Sequence, residues 1–431
     1  MSPTILLDPK HTSRNAPTLE RYNHDFITVR LQLTLWHKNV PFGVGSSTNH
    51  PEPQGVTRLE DNIIFLADLN DILQDIPDLP SSIFSHPTLN AFAALPKSVH
   101  QDVRSKLQTA LKDVSTLPKN AVEPIASVTM HLPVSCGDFS DFSCSFDHVQ
   151  NASEAMTGTR SHPPAFFYQP IGYAGRCSSL DVSGTPQNRP IGTYWTGKPG
   201  ASDITFGQSR RMDYELELGA IVGKPLPRKE RLLAKDAGDH IFGFVLVNDW
   251  SSRDIQALEM NPLGPLNGKN LGTNVSPWIV TSDALKAFRK PSIARREGVN
   301  IPKHLSDSGN EALDITLQVH LSSETDRKSS IIACKSNSAY MYWTLEQCLS
   351  QQALAGCGLR TGDIVATGTV SGSGEDQHGC LMEFMKQGAT PPRGYLEDGE
   401  VVTLDGYCGE GVGFGECVGT LLPAKPFDHL L

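Results

Sequence analysis

No C-x-x-C pair occurs in the sequence, and its nine cysteines are scattered, odd in number and without a framework. Such usage excludes a disulfide scaffold and reads as reduced thiols in the cytosol, each a small buried apolar residue. No His or Cys cluster stands at zinc-ligand spacing, which points away from zinc. No stretch approaches the roughly 20 apolar residues of a membrane span. Near the start the only apolar core is Ile5-Leu6-Leu7, too short for a secretory segment. Basic residues are in deficit: 37 Lys and Arg stand against 47 Asp and Glu, a formal charge of −10. That argues against a nucleic-acid partner, which calls for clustered basic surface. There is no repeat at a fixed period, no low-complexity tract and no regular βαβ rhythm, which disfavours solenoids and a doubly wound sheet.

What remains is a chain of 431 residues with 37 Gly and 30 Pro. The length exceeds one ordinary core, so two domains are expected, turn-rich and strand-heavy. Residues 1–20 read as poorly ordered. Residues 27–35 alternate strictly, the mark of a half-buried strand, and 42–45 and 62–66 read as further strands. Val99, Val103, Leu107, Leu111 and Val114 fall at helical spacing. Three prolines between Ser115 and Pro133 mark a connector. The division is a small β domain over 1–120, a linker over 121–135 and a catalytic domain over 136–431. The last carries strand candidates at 214–222, 241–247, 313–321, 364–369, 381–385 and 401–404, and a helix at 344–355. The class is mainly β with some helix (α+β), a mixed β-roll or sandwich.

The densest chemistry is Asn248-Asp249-Trp250-Ser251-Ser252-Arg253-Asp254-Ile255-Gln256, directly after an apolar run. Upstream, Glu215 and Glu217 stand at period 2 and would share one strand face. Two acids there repel unless a cation lies between them, and Asp249 is a natural third ligand. Asp138 and Asp141 enlarge the pool, which suits calcium or magnesium. A solvated strand face gives the same pattern, and spacing alone does not separate the two. His148 follows Asp141 by seven residues, at the start of a predicted helix over 149–156. Glu383 stands alone in an apolar run and needs a partner. A His–Glu dyad would satisfy both and make a general base for water, although spacing cannot show that the two meet. Lys269 lies in a glycine-bearing loop without Walker spacing. That loop and the one at 368–374 could let backbone approach a ligand, but ordinary turns are the simpler reading of each.

Taken together, the segments resemble the fumarylacetoacetate hydrolase family over about three quarters of the chain. The resemblance rests on Asp138-Phe-Ser-Asp-Phe, His148, Pro170-Ile-Gly-Tyr-Ala-Gly-Arg, Asp213-Tyr-Glu-Leu-Glu, the Asn248 to Gln256 run, Pro262-Leu-Gly-Pro, Gly268-Lys269, Ser276-Pro-Trp, Met341-Tyr-Trp, Gly368-Thr-Val-Ser-Gly and Gly411-Val-Gly-Phe-Gly. It implies a small N-terminal SH3-like barrel followed by a mixed β-roll, in a cytoplasmic homodimer with active sites near the interface. It implies a metal, usually calcium, on Asp141, Glu215, Glu217 and Asp249, and a magnesium-type site near Asp249, Lys269 and Thr273. His148 would be the base, oriented by Glu383, while Arg253, Gln256 and Lys269 stabilise developing negative charge. The implied reaction is C–C hydrolysis of a small diketo acid to fumarate and acetoacetate, the last step of tyrosine and phenylalanine breakdown.

Among the implied substrate contacts, Tyr173, Gln256 and Thr369 match the family and three positions depart. Ser143 stands where a Tyr is usual, Thr157 where an Arg is usual, and Met260 where another Tyr is usual. The missing Arg would pair with a substrate carboxylate, a contact worth about 2–5 kcal/mol. Arg160 is the nearest replacement in sequence. The departures leave open a paralogue that cleaves a less acidic 1,3-diketone. A decarboxylase or isomerase of the superfamily is disfavoured by this chain's length, and an inactive scaffold by the retained acids and dyad.

Overall fold

The computed structural model describes residues 36–197, 203–307, 309, 311–385 and 393–430. The strand expected at 27–35 and the segment 1–20 lie outside the described residues. The architecture is mixed α+β and mostly sheet, with few helices. Among the described residues no helix is long and apolar enough to cross a membrane.

The N-terminal sheet has five antiparallel strands in the order Val122–Pro124, Asn62–Phe65, Gln54–Leu59, Phe42–Ser46 and Thr129–His131. Both outer strands come from 121–135, the stretch expected to be a linker. Proline misled here: Pro124 ends an edge strand, where a missing N–H costs no ladder bond. The predicted helix is Lys97–Ala110, which buries Val99, Val103 and Leu107 along one face.

A larger sheet follows, in the order Gly172–Ala174, Phe139–Phe142, Ile364–Ala366, Leu216–Val222, Ile241–Asp249, Thr273–Val275 and Leu180–Val182. Its two central strands are buried along their whole length. Alternation sorts their side chains onto two faces. Leu216, Leu218, Ala220, Phe244 and Leu246 enter the main core. Ile221, Val245 and Val247 join Phe42, Ile64 and Phe92 in a core shared with the N-terminal sheet. Glu217 and Asp249 are in phase with this second set, and so is Asp141, two residues after Phe139. Strand parity therefore delivers three separate carboxylates to one face.

A six-stranded sheet built on Asp326–Asn337, Thr316–Ser323, Glu400–Cys408 and Cys417–Leu422 completes the fold. Helix Leu345–Ala353, opened by a capping box of Thr344 and Gln347, packs on the short helix Ala234–Ala237 and on the strand Ile364–Ala366 of the larger sheet. The stretch 381–385, expected to be a strand, is instead the 3-10 helix Leu381–Met385. The Asp213 carboxylate accepts hydrogen bonds from the Leu381 and Met382 N–H groups at 2.7 and 2.9 Å, so a side chain takes donors that a ladder would use.

Asp405, buried in Glu400–Cys408, makes a separate stability test. Burial and the nearby Glu416 push its carboxyl up to about 7. A raised folded-state value stabilises below the ordinary carboxylate range and loses that contribution as pH climbs to about 7. Asp405→Asn is therefore expected to raise Tm at pH 8 with little gain near pH 4. An equal gain at both, measured by thermal melts, would contradict the assignment.

Candidate active site

Four carboxylates converge. Asp141, Glu215, Glu217 and Asp249 are all buried, and one oxygen from each lies within 4.8 Å of the others. Asp141 comes from Phe139–Phe142, and Asp249 ends Ile241–Asp249. Glu217 lies within Leu216–Val222, and Glu215 just precedes it. The Glu215 N–H donates to Asn248 Oδ1 at 3.2 Å, which fixes the chain where it enters the strand.

Two cations stand against the acids. Lys269 Nζ lies 2.5 Å from Glu215 Oε2 and 2.7 Å from Asp249 Oδ2. Arg253 Nη1 lies 2.7 Å from Glu215 Oε1, and its Nε lies 2.8 Å from Asp213 Oδ2. Thr273 Oγ1 and Tyr173 Oη both donate to Asp249, at 2.8 and 3.0 Å. Gln256 Oε1 accepts from Arg253 Nη1 at 3.1 Å. The backbone is built for this approach: a Cβ on Gly268 would sit 2.7 Å from the Gln256 backbone.

The charges do not balance evenly. Burial raises Asp141 to about 8, with Asp249 and Glu215 adding to it against Lys269. Burial and the neighbouring acids push Glu217 well above its ordinary value. Burial acts on Glu215 too, but Lys269 and Arg253 outweigh it and hold that carboxyl low. Among the described residues, neither oxygen of Glu217 has a hydrogen-bond partner, and Asp141 Oδ1 has none. Buried acceptors left so are costly, and a hard cation with oxygen ligands satisfies them. The residues present therefore fit a divalent ion. Asp249 holds Lys269 as an ammonium, so the Lys269 nitrogen offers no ligand lone pair, and this residue serves as counter-cation.

The dyad forms alongside. Ser145 caps the helix Phe146–Thr157 by accepting the His148 N–H at 3.2 Å, and donates its hydroxyl to the Ser371 carbonyl at 2.9 Å. This pins the helix start to the loop beside Glu383. His148 Nδ1 lies 2.9 Å from Glu383 Oε1. Asn151 Nδ2 and Ser371 Oγ also donate to Glu383, at 2.9 and 2.6 Å. Despite full burial, the His148 ring, His378 and the Ser371 hydroxyl hold Glu383 down at about 2. A charge on His148 would also lower Glu215, so the dyad lies within electrostatic reach of the acid cluster.

The substrate positions divide. Among the described residues, the buried Thr369 hydroxyl and Arg253 Nη2 have no hydrogen-bond partner. Ser143 follows the Asp141 strand, with its N–H bonded to the Ile171 carbonyl, and its Cα lies 3.2 Å from where a Cβ on Gly368 would sit. Thr157 ends its helix with its hydroxyl turned back to the Ser153 carbonyl. Met260 is 41% exposed. Sequence reasoning gave no role to Asn151, Ser371 or Asn248. Asn151 was the findable one, since it stands three residues after His148 on one helix face.

Comparison with known proteins bears on the chain as a whole. The family model "Fumarylacetoacetate (FAA) hydrolase C-terminal" matches residues 139–421, and "Fumarylacetoacetase N-terminal" matches 38–133. The second stretch includes the strands Val122–Pro124 and Thr129–His131. A fumarylacetoacetase of Oryza sativa subsp. japonica is 40% identical over 412 residues, covering 90% of this chain and 95% of the relative. The Homo sapiens fumarylacetoacetase is 38% identical over 406 residues, covering 90% and 96%. In fold, the chain resembles a fumarylacetoacetate hydrolase from psychrophilic Exiguobacterium antarcticum, with TM-score 0.52, 17% identity, and coverage of 90% of this chain and 100% of that one. With both models matched in order and the relatives aligned nearly end to end, the chain belongs to the fumarylacetoacetate hydrolase family.

Proposed function

We propose that the protein hydrolyses a C–C bond of a 1,3-diketo acid, fumarylacetoacetate, to fumarate and acetoacetate in tyrosine and phenylalanine breakdown. The observation that carries this reading is the buried quartet of carboxylates, with Glu217 unsatisfied, beside a His–Glu dyad. Asp141, Glu215, Glu217 and Asp249 would hold the ion. When bound, calcium or magnesium supplies Lewis-acid polarisation of a chelating diketone.

The chain's own groups do the rest. His148 donates Nδ1–H to Glu383, which leaves Nε2 as acceptor for a water proton. Glu383, ionised and gripped by Asn151 and Ser371, fixes that tautomer and balances the imidazolium that forms. Hydroxide adds to a carbonyl, the C–C bond breaks, and the carbon fragment leaves as an enolate. Lys269 spends two donors on Glu215 and Asp249 and keeps a third for the enolate oxygen. Arg253 Nη2, Gln256, Tyr173 and the Thr369 hydroxyl line the remaining substrate contacts.

The finer assignments rest on the same kinship. The N-terminal sheet would be an SH3-like barrel, the chain from about 136 onward the catalytic β-roll, and the assembly a cytoplasmic homodimer. Nine free thiols suit that compartment.

One observation favours a second substrate. Thr157 presents no charge, and its hydroxyl is spent on its own helix. A diketone lacking the second carboxylate would suit that position. Thr157→Arg is expected to raise kcat/KM on fumarylacetoacetate by about tenfold or more, on the scale of a charge-assisted contact. The ratio of kcat/KM for fumarylacetoacetate and a neutral diketone measures it. No gain, or a loss, would count against the altered clamp.

A further inference from the structure

The fold builds a second cluster that the proposed hydrolysis uses only in part. His378, Cys380 and Glu383 stand within six residues, and the helix Phe146–Thr157 brings His148 onto them. One ligand atom each from His148, Cys380 and Glu383 lies within 4.8 Å of the others. Cys380 Sγ is 3.5 Å from Glu383 Oε1, and His378 Nδ1 is 3.9 Å from Glu383 Oε2. Four-coordinate zinc, with bonds of about 2.0–2.3 Å, sets its ligands roughly 3.3–3.7 Å apart. On the Oε1 side, the Cys380–Glu383 spacing of 3.5 Å falls in that range and the His148 Nδ1–Glu383 distance of 2.9 Å lies just below it.

We propose that His148, Cys380 and Glu383, with His378 buried beside Glu383, form a metal site for zinc or a similar borderline-soft divalent ion. The donor types decide the metal. The acid quartet offers oxygen alone and suits hard ions, whereas thiolate with imidazole selects softer ones. Cys380 and Glu383 are fully enclosed and His378 is buried, so entry is from the side of His148, the one member partly open to solvent. Binding breaks the Cys380 S–H bond, sends its proton to solvent and forms a metal–sulfur bond, with no change of oxidation state. His148 ligates through Nδ1 as the Nε2–H tautomer, its ring proton moving from Nδ1 to Nε2 through solvent with no net release. Sequence spacing pointed away from zinc because the decisive imidazole lies 235 residues before Glu383.

The consequence for turnover rests on His148 acting as the base: an ion seated on its Nδ1 ends the hydrogen bond to Glu383 and takes the dyad out of use. The test of the site itself needs no substrate. The full-length protein is saturated with magnesium, which fills the oxygen quartet, and then titrated with cobalt(II). The site predicts a near-ultraviolet thiolate-to-cobalt absorption that saturates at one equivalent per chain and that added zinc removes. Cys380→Ser should lose the band and bind zinc about tenfold or more weakly, and Cys380→Ala serves if the serine variant fails to fold. No band in the wild-type protein overturns the proposal, and so does a band that survives in the Cys380 variants. Since oxygen ligands cannot produce this absorption, the result is independent of whether fumarylacetoacetate is the substrate.

Discussion

Replacing His148 with alanine is expected to lower kcat on fumarylacetoacetate by about 10²–10⁴-fold, with a much smaller change in KM. The size follows from what the ring does. The imidazole is held 2.9 Å from the fully buried Glu383 carboxylate. Its removal leaves Glu383 with Asn151 and Ser371 but no group to take the water proton. The proposed substrate contacts of Lys269, Arg253 and Thr369 would persist, so ground-state binding is expected to change little. The measurement is the steady-state loss of fumarylacetoacetate absorbance, run beside a melt that checks the fold and its response to calcium. Turnover close to wild type in a folded variant would remove His148 from its role.

The second large effect belongs to Glu217, and its two halves have opposite signs. Without an ion this carboxyl is fully buried, its two oxygens have no hydrogen-bond partner among the described residues, and it faces three other acids. Glu217→Gln removes the cost of keeping a buried acid protonated among other acids, so the ion-free protein is expected to melt higher than wild type at neutral pH. The same change deletes an anionic ligand, so the gain in Tm on adding calcium or magnesium should nearly vanish. For wild type that gain corresponds to about 2.7 kcal/mol at a hundredfold excess over Kd. Proton linkage gives an independent check. Asp141, raised to about 8 by burial and its neighbours, and Glu217, raised further, hold protons that an ion must displace. Ion binding therefore releases protons, and affinity should fall as pH drops below about 8. Binding enthalpies measured in buffers of different ionisation heat would show the release. A variant that melts lower without ions and keeps the full calcium response would contradict the account.

Much of the site was legible in the order of residues, for a physical reason. Period 2 puts Glu215 and Glu217 on the same side, and Asp249 ends the neighbouring apolar strand, so the three acids were legible as a candidate ligand group, while a solvated strand face fitted the same spacing until burial was seen. Residues 121–135 show where that reasoning stops. Their strands are three residues long, and on an edge strand proline signals nothing about a linker. The 381–385 stretch failed for another reason. Its apolar run reads as a strand, yet Asp213, more than 160 residues away, caps two of its N–H groups and curls it. That curl is what aims Glu383 at His148. Pairings of this kind depend on tertiary contact, and neither Asn151 nor Ser371 could be assigned to Glu383 before the loops were seen together.

The most direct test of the central claim strips the protein with EDTA and follows fumarylacetoacetate in the near ultraviolet, before and after calcium or magnesium is returned. If Asp141, Glu215, Glu217 and Asp249 hold the working ion, turnover disappears on stripping and returns with the ion in wild type, and fails to return in Glu217→Gln. Stripped protein that cleaves the substrate at the original rate would contradict it.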